Sequence, residues 1–289
     1  MLKQYKNYIF DLYGTLVDIH TNEMNLNLWK KMAELYAVYG AEYQAEQLRA
    51  AFLRMDLEER DLIRARLRCE YPENQLEIVF LRLLKEWRPV IHSDNRLVEA
   101  GNSDETGLMA PVIDHGMDKA DCNENAEIRL PENEAVWEEF MANTFRVLSR
   151  DYIHLFPETI HTLVRLREMG CHLYLLSNAQ AIFTRPEIHE LGLEQYFDKM
   201  YLSSDHGIMK PEPAYLKRLL AEEGLAAEET VMVGNEIRSD VKIADACGVN
   251  AILINIDKDS PVRLKEKAKE AGIRNRFTVV RSIGRIIDY

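Results

Sequence analysis

Cysteine is scarce: Cys69, Cys122, Cys171 and Cys247 stand far apart, with no CxxC pair and no Cys/His cluster at metal-ligand spacing. That spacing argues against a disulfide framework or a zinc site and fits buried thiols in a reducing compartment. No apolar run is long enough to cross a bilayer, and no charged-then-apolar leader precedes the first strand-like run. No membrane partner and a cytoplasmic location are therefore expected. Basic residues are in deficit, with 36 Lys and Arg against 48 Asp and Glu, a formal net charge of -12. Nucleic acid and anionic membrane surfaces are polyanions and so are disfavoured as partners. A small anionic substrate stays open, provided local cations or a metal offset the repulsion. Internal repeats and low-complexity tracts are absent as well.

What is present is an ordinary soluble composition. Hydrophobic residues at 47% and charged residues at 29% over 289 positions allow one large domain or two smaller ones. Tyr8-Ile9-Phe10 is a short β-prone run that stops at Asp11, with Gly14-Thr15 following as a turn. It reads as a buried strand delivering an aspartate to its C-terminal end. From Met24 to Trp87 the apolar spacing is helical, as in Leu28, Met32, Leu35 and Tyr36, then Leu48, Phe52 and Met55. Between Pro89 and Pro131 periodicity fails in a polar, acidic, turn-rich stretch, read first as a mobile surface insertion and second as a substrate lid. A further helix is expected over 132–148.

From His154 onwards strands and helices alternate. Strands are expected at 173–176, 200–202, 231–233 and 251–254, and helices at 158–168, 186–191, 213–223, 239–246 and 262–271. Such alternation implies an α/β fold, a doubly wound parallel sheet covered on both faces. In such sheets the active site lies beyond the carboxyl ends of the strands.

Four segments fall after four of these strands, so the fold gathers them at one sheet edge. They are Asp11-Leu12-Tyr13-Gly14-Thr15-Leu16, Ser177-Asn178, Lys210-Pro211, and Gly234-Asn235-Glu236-Ile237-Arg238-Ser239-Asp240. A carboxylate at Asp11 can attack an electrophilic carbon or phosphorus and form an ester. Ser177 and Asn178 can hydrogen-bond transferring oxygens, and Lys210 can neutralise charge on nucleophile and substrate. Glu236 and Asp240, with Asp11 and a backbone carbonyl, offer the hard oxygens that Mg²⁺ takes. Each residue also has a duller reading. Asp11 could cap a turn, Ser177-Asn178 could be a plain turn, Lys210-Pro211 a surface segment, and Glu236 and Asp240 helix N-terminal acids. Arg64, Arg66 and Arg68 read as a solvated helix face.

Four segments in this order, each after a strand, resemble the four motifs of the haloacid dehalogenase-like superfamily. The resemblance implies a Rossmann-like core over 1–17 and 152–289, with an inserted helical cap over 18–151 that contains the acidic stretch at 89–131. His154-Leu155-Phe156-Pro157-Glu158-Thr159 is similar to the stretch that follows such a cap. The family implies a hydrolase with Asp11, Tyr13, Ser177 and Lys210 as candidate catalytic residues, and Thr15, Ser177, Asn178 and Lys210 facing substrate. It implies Mg²⁺ held by Asp11, the Tyr13 carbonyl, Asn235, Glu236 and Asp240.

Tyr13 departs from the phosphatase pattern, which places there an aspartate that protonates the leaving alcohol and then activates water. A phenol with a pKa of about 10 is a poor base at neutral pH. The family's 2-haloacid dehalogenases carry tyrosine at this place, and Val17-Asp18-Ile19-His20 adds to that likeness. Halide leaves without a proton and without a metal. Against that branch, the first arginine is Arg49, with Lys30 and Lys31 in the early cap, and Glu236 and Asp240 have little use without a cation. Mg²⁺-dependent hydrolysis of a small phosphorylated metabolite therefore ranks first. Metal-independent cleavage of a carbon–halogen bond comes next, and a catalytically faded ligand- or partner-binding protein third.

Overall fold

A computed structural model describes residues 5–88 and 128–288. The expected acidic stretch lies outside them as far as residue 127, as does Cys122. No helix among the described residues is long and apolar enough to cross a membrane. Cys69, Cys171 and Cys247 are free thiols.

Strand β1 (Asn7–Phe10) is buried along its whole length, as the apolar run requires of a strand covered on both faces. It lies between β4 (His172–Ser177) and β6 (Thr230–Gly234) in a six-stranded sheet whose pairings are all parallel. The outer strands are β5 (Lys199–Leu202) beside β4, then β7 (Asn250–Ile254) and β8 (Thr278–Val280) beyond β6, in the order β5-β4-β1-β6-β7-β8. Phe10 is level with Leu175 on one side and Val233 on the other, so Asp11, Ser177 and Gly234 emerge together. Strand order reverses across β1, which makes this edge the switch point where α/β sheets bind ligands.

Period-two alternation splits the strand residues between two cores. Phe10, Leu175, Val233 and Ile252 pack on one face, and Ile9, Tyr174, Leu176, Met232 and Leu253 on the other. The covering helices are α5 (Thr159–Glu168), α6 (Ala181–Glu190), α7 (Ser203–His206), α8 (Pro213–Glu222), α9 (Lys242–Cys247) and α10 (Pro261–Glu270). Most sit where the sequence placed them, but α6 starts five residues before the expected 186. Pro186 suggested a first helical position, yet the helix opens at Ala181, whose N–H donates to Ser204 Oγ at 2.8 Å. Burial of Phe183, Thr184, Glu187 and Ile188 outweighs the cost of an internal proline. The helix expected at 239–246 is preceded and partly replaced by a π-helical turn, Ile237–Val241.

Helices α1 (Leu26–Val38), α2 (Ala45–Leu67), α3 (Leu76–Lys85) and α4 (Glu134–Ser149) enclose a core of their own. It contains Trp29, Met32, Tyr36, Phe52, Phe80, Trp137 and Phe145, joined by Phe183 from α6. Between this helical unit and the sheet run two strands the alternation did not announce, β2 (Val17–Thr21) and β3 (Arg150–Leu155), paired antiparallel. The chain leaves the sheet unit along β2 and returns along β3, so its two crossings are bonded side by side. His20 and Asp151 (2.7 Å) and His154 and Asp18 (3.3 Å) pair across this ribbon.

Candidate active site

Asp11 follows β1, and its N–H donates to the Val233 carbonyl of β6 at 2.9 Å, which fixes the residue at the sheet edge. Its Oδ1 accepts from Ser177 Oγ at 3.1 Å and from Lys210 Nζ at 2.6 Å. The same ammonium donates to Asp240 Oδ1 at 2.7 Å. Asp11, Ser177, Lys210 and Asp240 are all buried. Burial opposes the charge on Lys210, but the Asp11 and Asp240 carboxylates outweigh it and hold the ammonium above its ordinary value. Burial raises the Asp240 carboxyl to about 6 even though Lys210 pulls it down. The result is a water-poor site with two carboxylates sharing one cation.

Local backbone geometry makes the approach possible. Gly14 sits at φ +78°, and a Cβ there would lie 2.5 Å from the Asn235 amide. A Cβ on Gly234 would lie 2.2 Å from the Asp240 carboxyl carbon. Asp240 is turned inward by the π-helical turn, a feature frequent at functional sites, and its Oδ2 accepts the Glu236 N–H at 3.0 Å.

The remaining predicted residues take distinct positions. Thr15 Oγ1 lies 3.3 Å from Asp11 Oδ2 and 3.2 Å from Asn235 Oδ1. Asn178 grips the Lys210 backbone, donating to its carbonyl at 2.9 Å and accepting its N–H at 2.7 Å. It aligns the lysine and makes no direct bond to Asp11. The Glu236 carboxylate accepts from Ser239 Oγ at 3.0 Å. Among the described residues no three His, Cys, Asp or Glu side chains form a group that could hold a metal ion, so Glu236 does not close on Asp11 and Asp240. Any cation here would draw on Asp11, Asp240, the Asn235 amide oxygen and main-chain carbonyls.

Tyr13 turns away from Asp11. Its hydroxyl donates to Glu187 and lies 3.1 Å from Thr184 Oγ1, both on α6. Burial, then the Glu187 carboxylate, push the phenol well above its ordinary value. Arg146, on α4, grips Glu187 through Nε (2.7 Å) and Nη2 (3.0 Å) and lies 5.2 Å from the centre of the Tyr13 ring. Arg150 adds a bond to Glu187 at 2.7 Å. Sequence reading missed Arg146, Glu187 and Thr184, because nothing local marks partners as far apart in sequence as Tyr13 and Glu187. Arg64, Arg66 and Arg68 are exposed, as read from the sequence.

Known proteins resemble this chain in sequence and in fold. The sequence profile of the haloacid dehalogenase-like hydrolases matches residues 5–248. The chain belongs to that family. Glyceraldehyde 3-phosphate phosphatase of Methanothermobacter thermautotrophicus is 34% identical over 100 residues, 35% of this chain and 44% of that protein. Phosphoserine phosphatase of Thermus thermophilus is 34% identical over 101 residues, 35% of this chain and 41% of the other. Phosphoglycolate phosphatase of Yersinia pestis is 29% identical over 141 residues, 49% and 58% of the two chains. The matches thus span between 41% and 58% of these relatives. Among solved structures, 2-haloacid dehalogenase from Pseudomonas syringae pv. Tomato superposes with a TM-score of 0.60 at 18% identity, covering 99% of this chain and 97% of that one. A phosphatase from Thermococcus onnurineus does so at 0.54 and 18%, covering 98% and 96%. At such identity the likeness is one of fold.

Proposed function

We propose that the protein is a Mg²⁺-dependent phosphatase of small phosphorylated metabolites, with Asp11 as its covalent nucleophile. The observation that carries this reading is the buried Lys210 ammonium held between Asp11 and Asp240. A second buried carboxylate, Asp240, facing the same point as Asp11 suits a further cation. Thr15 supports the fit. Its hydroxyl has one hydrogen to give, so either Asp11 Oδ2 or Asn235 Oδ1 stays free to coordinate. With Asp240 and the Tyr13 carbonyl these are hard oxygens of the kind Mg²⁺ prefers. Bound there, Mg²⁺ would polarise a phosphoryl oxygen and offset charge between nucleophile and substrate.

The chain's own residues do the rest. Lys210 and Ser177 anchor Oδ1 of Asp11, leaving Oδ2 as the attacking oxygen. Lys210 then stabilises charge developing on the transferred group, within a site that excludes most water. Attack forms an acyl phosphate on Asp11 as the bond from phosphorus to the alcohol oxygen breaks, and water then cleaves it to phosphate and free Asp11. Tyr13 supplies no acid to the leaving group, since its hydroxyl is committed to Glu187. Esters of acidic alcohols, which leave without a proton, are therefore the preferred substrates.

That orientation of Tyr13 also favours a second reading, metal-independent dehalogenation of a 2-haloacid, where no acid is needed. Phosphate release from an aryl phosphate, with and without Mg²⁺ and with Asp11→Asn as control, decides between the two. The proposal expects Mg²⁺-dependent release that Asp11→Asn abolishes. Halide release from a 2-haloacid without metal, and no phosphate release, would replace it with the second reading.

A further inference from the structure

The segment between α2 and α3 is bonded to the loop that leads to Lys210. Pro72 forms an isolated antiparallel bridge with Ile208. Its bonds are main-chain ones: the Met209 N–H donates to the Tyr71 carbonyl and the Glu73 N–H donates to the Gly207 carbonyl, each at 3.0 Å. Lys210 follows Met209 directly, so the backbone leading into the site's ammonium is tied to the helical unit.

The Glu73 side chain carries this contact into the interior, where it is 5% exposed. Its Oε2 accepts from Ser203 Oγ at 3.0 Å. Its Oε1 accepts from Gln180 Nε2 at 3.2 Å and pairs with Arg60 Nη2 at 2.9 Å. Arg60, on α2, also donates to the Pro72 carbonyl at 3.1 Å. Ser203 Oγ accepts the Ala179 N–H at 2.8 Å, which it can do while its one hydrogen goes to Glu73. Gln180 donates to the Asn74 carbonyl and accepts the Leu76 N–H, both at 3.0 Å. Ala179 and Gln180 directly follow Ser177-Asn178, and Asn178 grips the Lys210 backbone. Among the described residues Glu73 makes no bond to Asp11, Ser177 or Lys210.

Where only adhesion is needed, apolar packing serves as well as a buried charge pair or better. A satisfied buried polar network instead fixes its members in direction as well as in distance. We infer that Glu73 is a positioning residue: from the helical unit it fixes the two loops that present Ser177 and Lys210 to Asp11 Oδ1. The inference rests on the reading of Asp11 as nucleophile, and it holds for attack on phosphorus or on carbon. Docking of the helical unit is thereby coupled to the alignment of the nucleophile.

Two readouts test this, one of them without turnover. With [ε-13C]lysine labelling, the NMR signal of Lys210, assigned through Lys210→Arg, should stand apart from those of exposed lysines in wild-type protein. In Glu73→Ala it should move toward them. The same variant should lower kcat for an aryl phosphate by about a hundredfold, the cost of a misplacement of about 1 Å at a reacting group. Phe145→Ala, which loosens packing within the helical unit, should leave both readouts unchanged in the folded protein. Glu73→Gln keeps the volume and an acceptor for Ser203 but turns a donor toward Gln180 and Arg60. It should show the same changes at smaller size, and it carries the test where Glu73→Ala does not fold. A Lys210 signal unmoved in the folded Glu73 variants, or moved as far by Phe145→Ala, would overturn the inference. A Glu73-dependent signal without phosphate release by wild-type protein would support the positioning role while removing the phosphatase reading.

Discussion

At Asp240, burial and charge pull in opposite directions. Burial dominates and raises the carboxyl to about 6, so the group takes up a proton nearer neutrality than an exposed aspartate does. Protonation weakens its bond to Lys210 and removes a hard oxygen ligand. Activity should therefore fall as pH drops through about 6, and a pH–rate profile whose acid limb begins well below 5 would contradict this role. The effect on stability has the opposite sign. With its folded value raised, this carboxyl favours the folded state most at acid pH, and that contribution is lost as pH rises from about 4 through about 6. At this scale Asp11, Ser177, Lys210 and Asp240 were all legible, since each lies at or beyond the carboxyl end of an apolar strand. The partners of Tyr13 were not, because Glu187 and Arg146 look like ordinary helix charges until the chain is folded.

Among the elements, α4 shows how one helix serves two masters. Trp137, Met141 and Phe145 recur at four-residue spacing and face the helical core, where Phe145 lies 5.2 Å from Phe80 and 5.6 Å from Trp29 and Phe52. Phe145→Ala should cost about 3–5 kcal/mol, read from urea unfolding, because a ring at the centre of that cluster leaves a cavity. A loss below 1 kcal/mol would mean that the four helices are not the packed unit described. The next residue, Arg146, points to the sheet unit instead. Elements with strong internal patterns were readable: the buried strands β1, β4, β5, β6 and β7, and the helices α1 to α4. Strands β2, β3 and β8 were not, being mostly half-exposed or exposed, with no continuous apolar run to mark them. The start of α6 was misread because Pro186 signals a helix start locally, while docking of Ala181 on Ser204 moves it earlier.

For the whole molecule, one contact that ties the helical unit to the sheet unit is ionic. Glu187 on α6 is buried and accepts from Arg146, Arg150 and Tyr13. The arginines and Tyr13 lower its carboxyl pKa against the burial that would raise it. Arg146→Met removes two of the four hydrogen bonds to that carboxylate, leaving Arg150 and Tyr13, and should destabilise the protein by about 1–3 kcal/mol, whereas the double variant with Glu187→Met should recover much of the loss. Equal stability of the single variant and wild type would show that the two units are held by other contacts. What the sequence determined by itself was the parallel sheet and the four segments at its edge, because burial of β1 and its neighbours is written in consecutive apolar residues. Tertiary structure alone decided which way Tyr13 faces and how α4 meets α6. Each depends on charges brought together from distant parts of the chain, and in a low-dielectric interior such pairings are settled by geometry that local pattern does not contain.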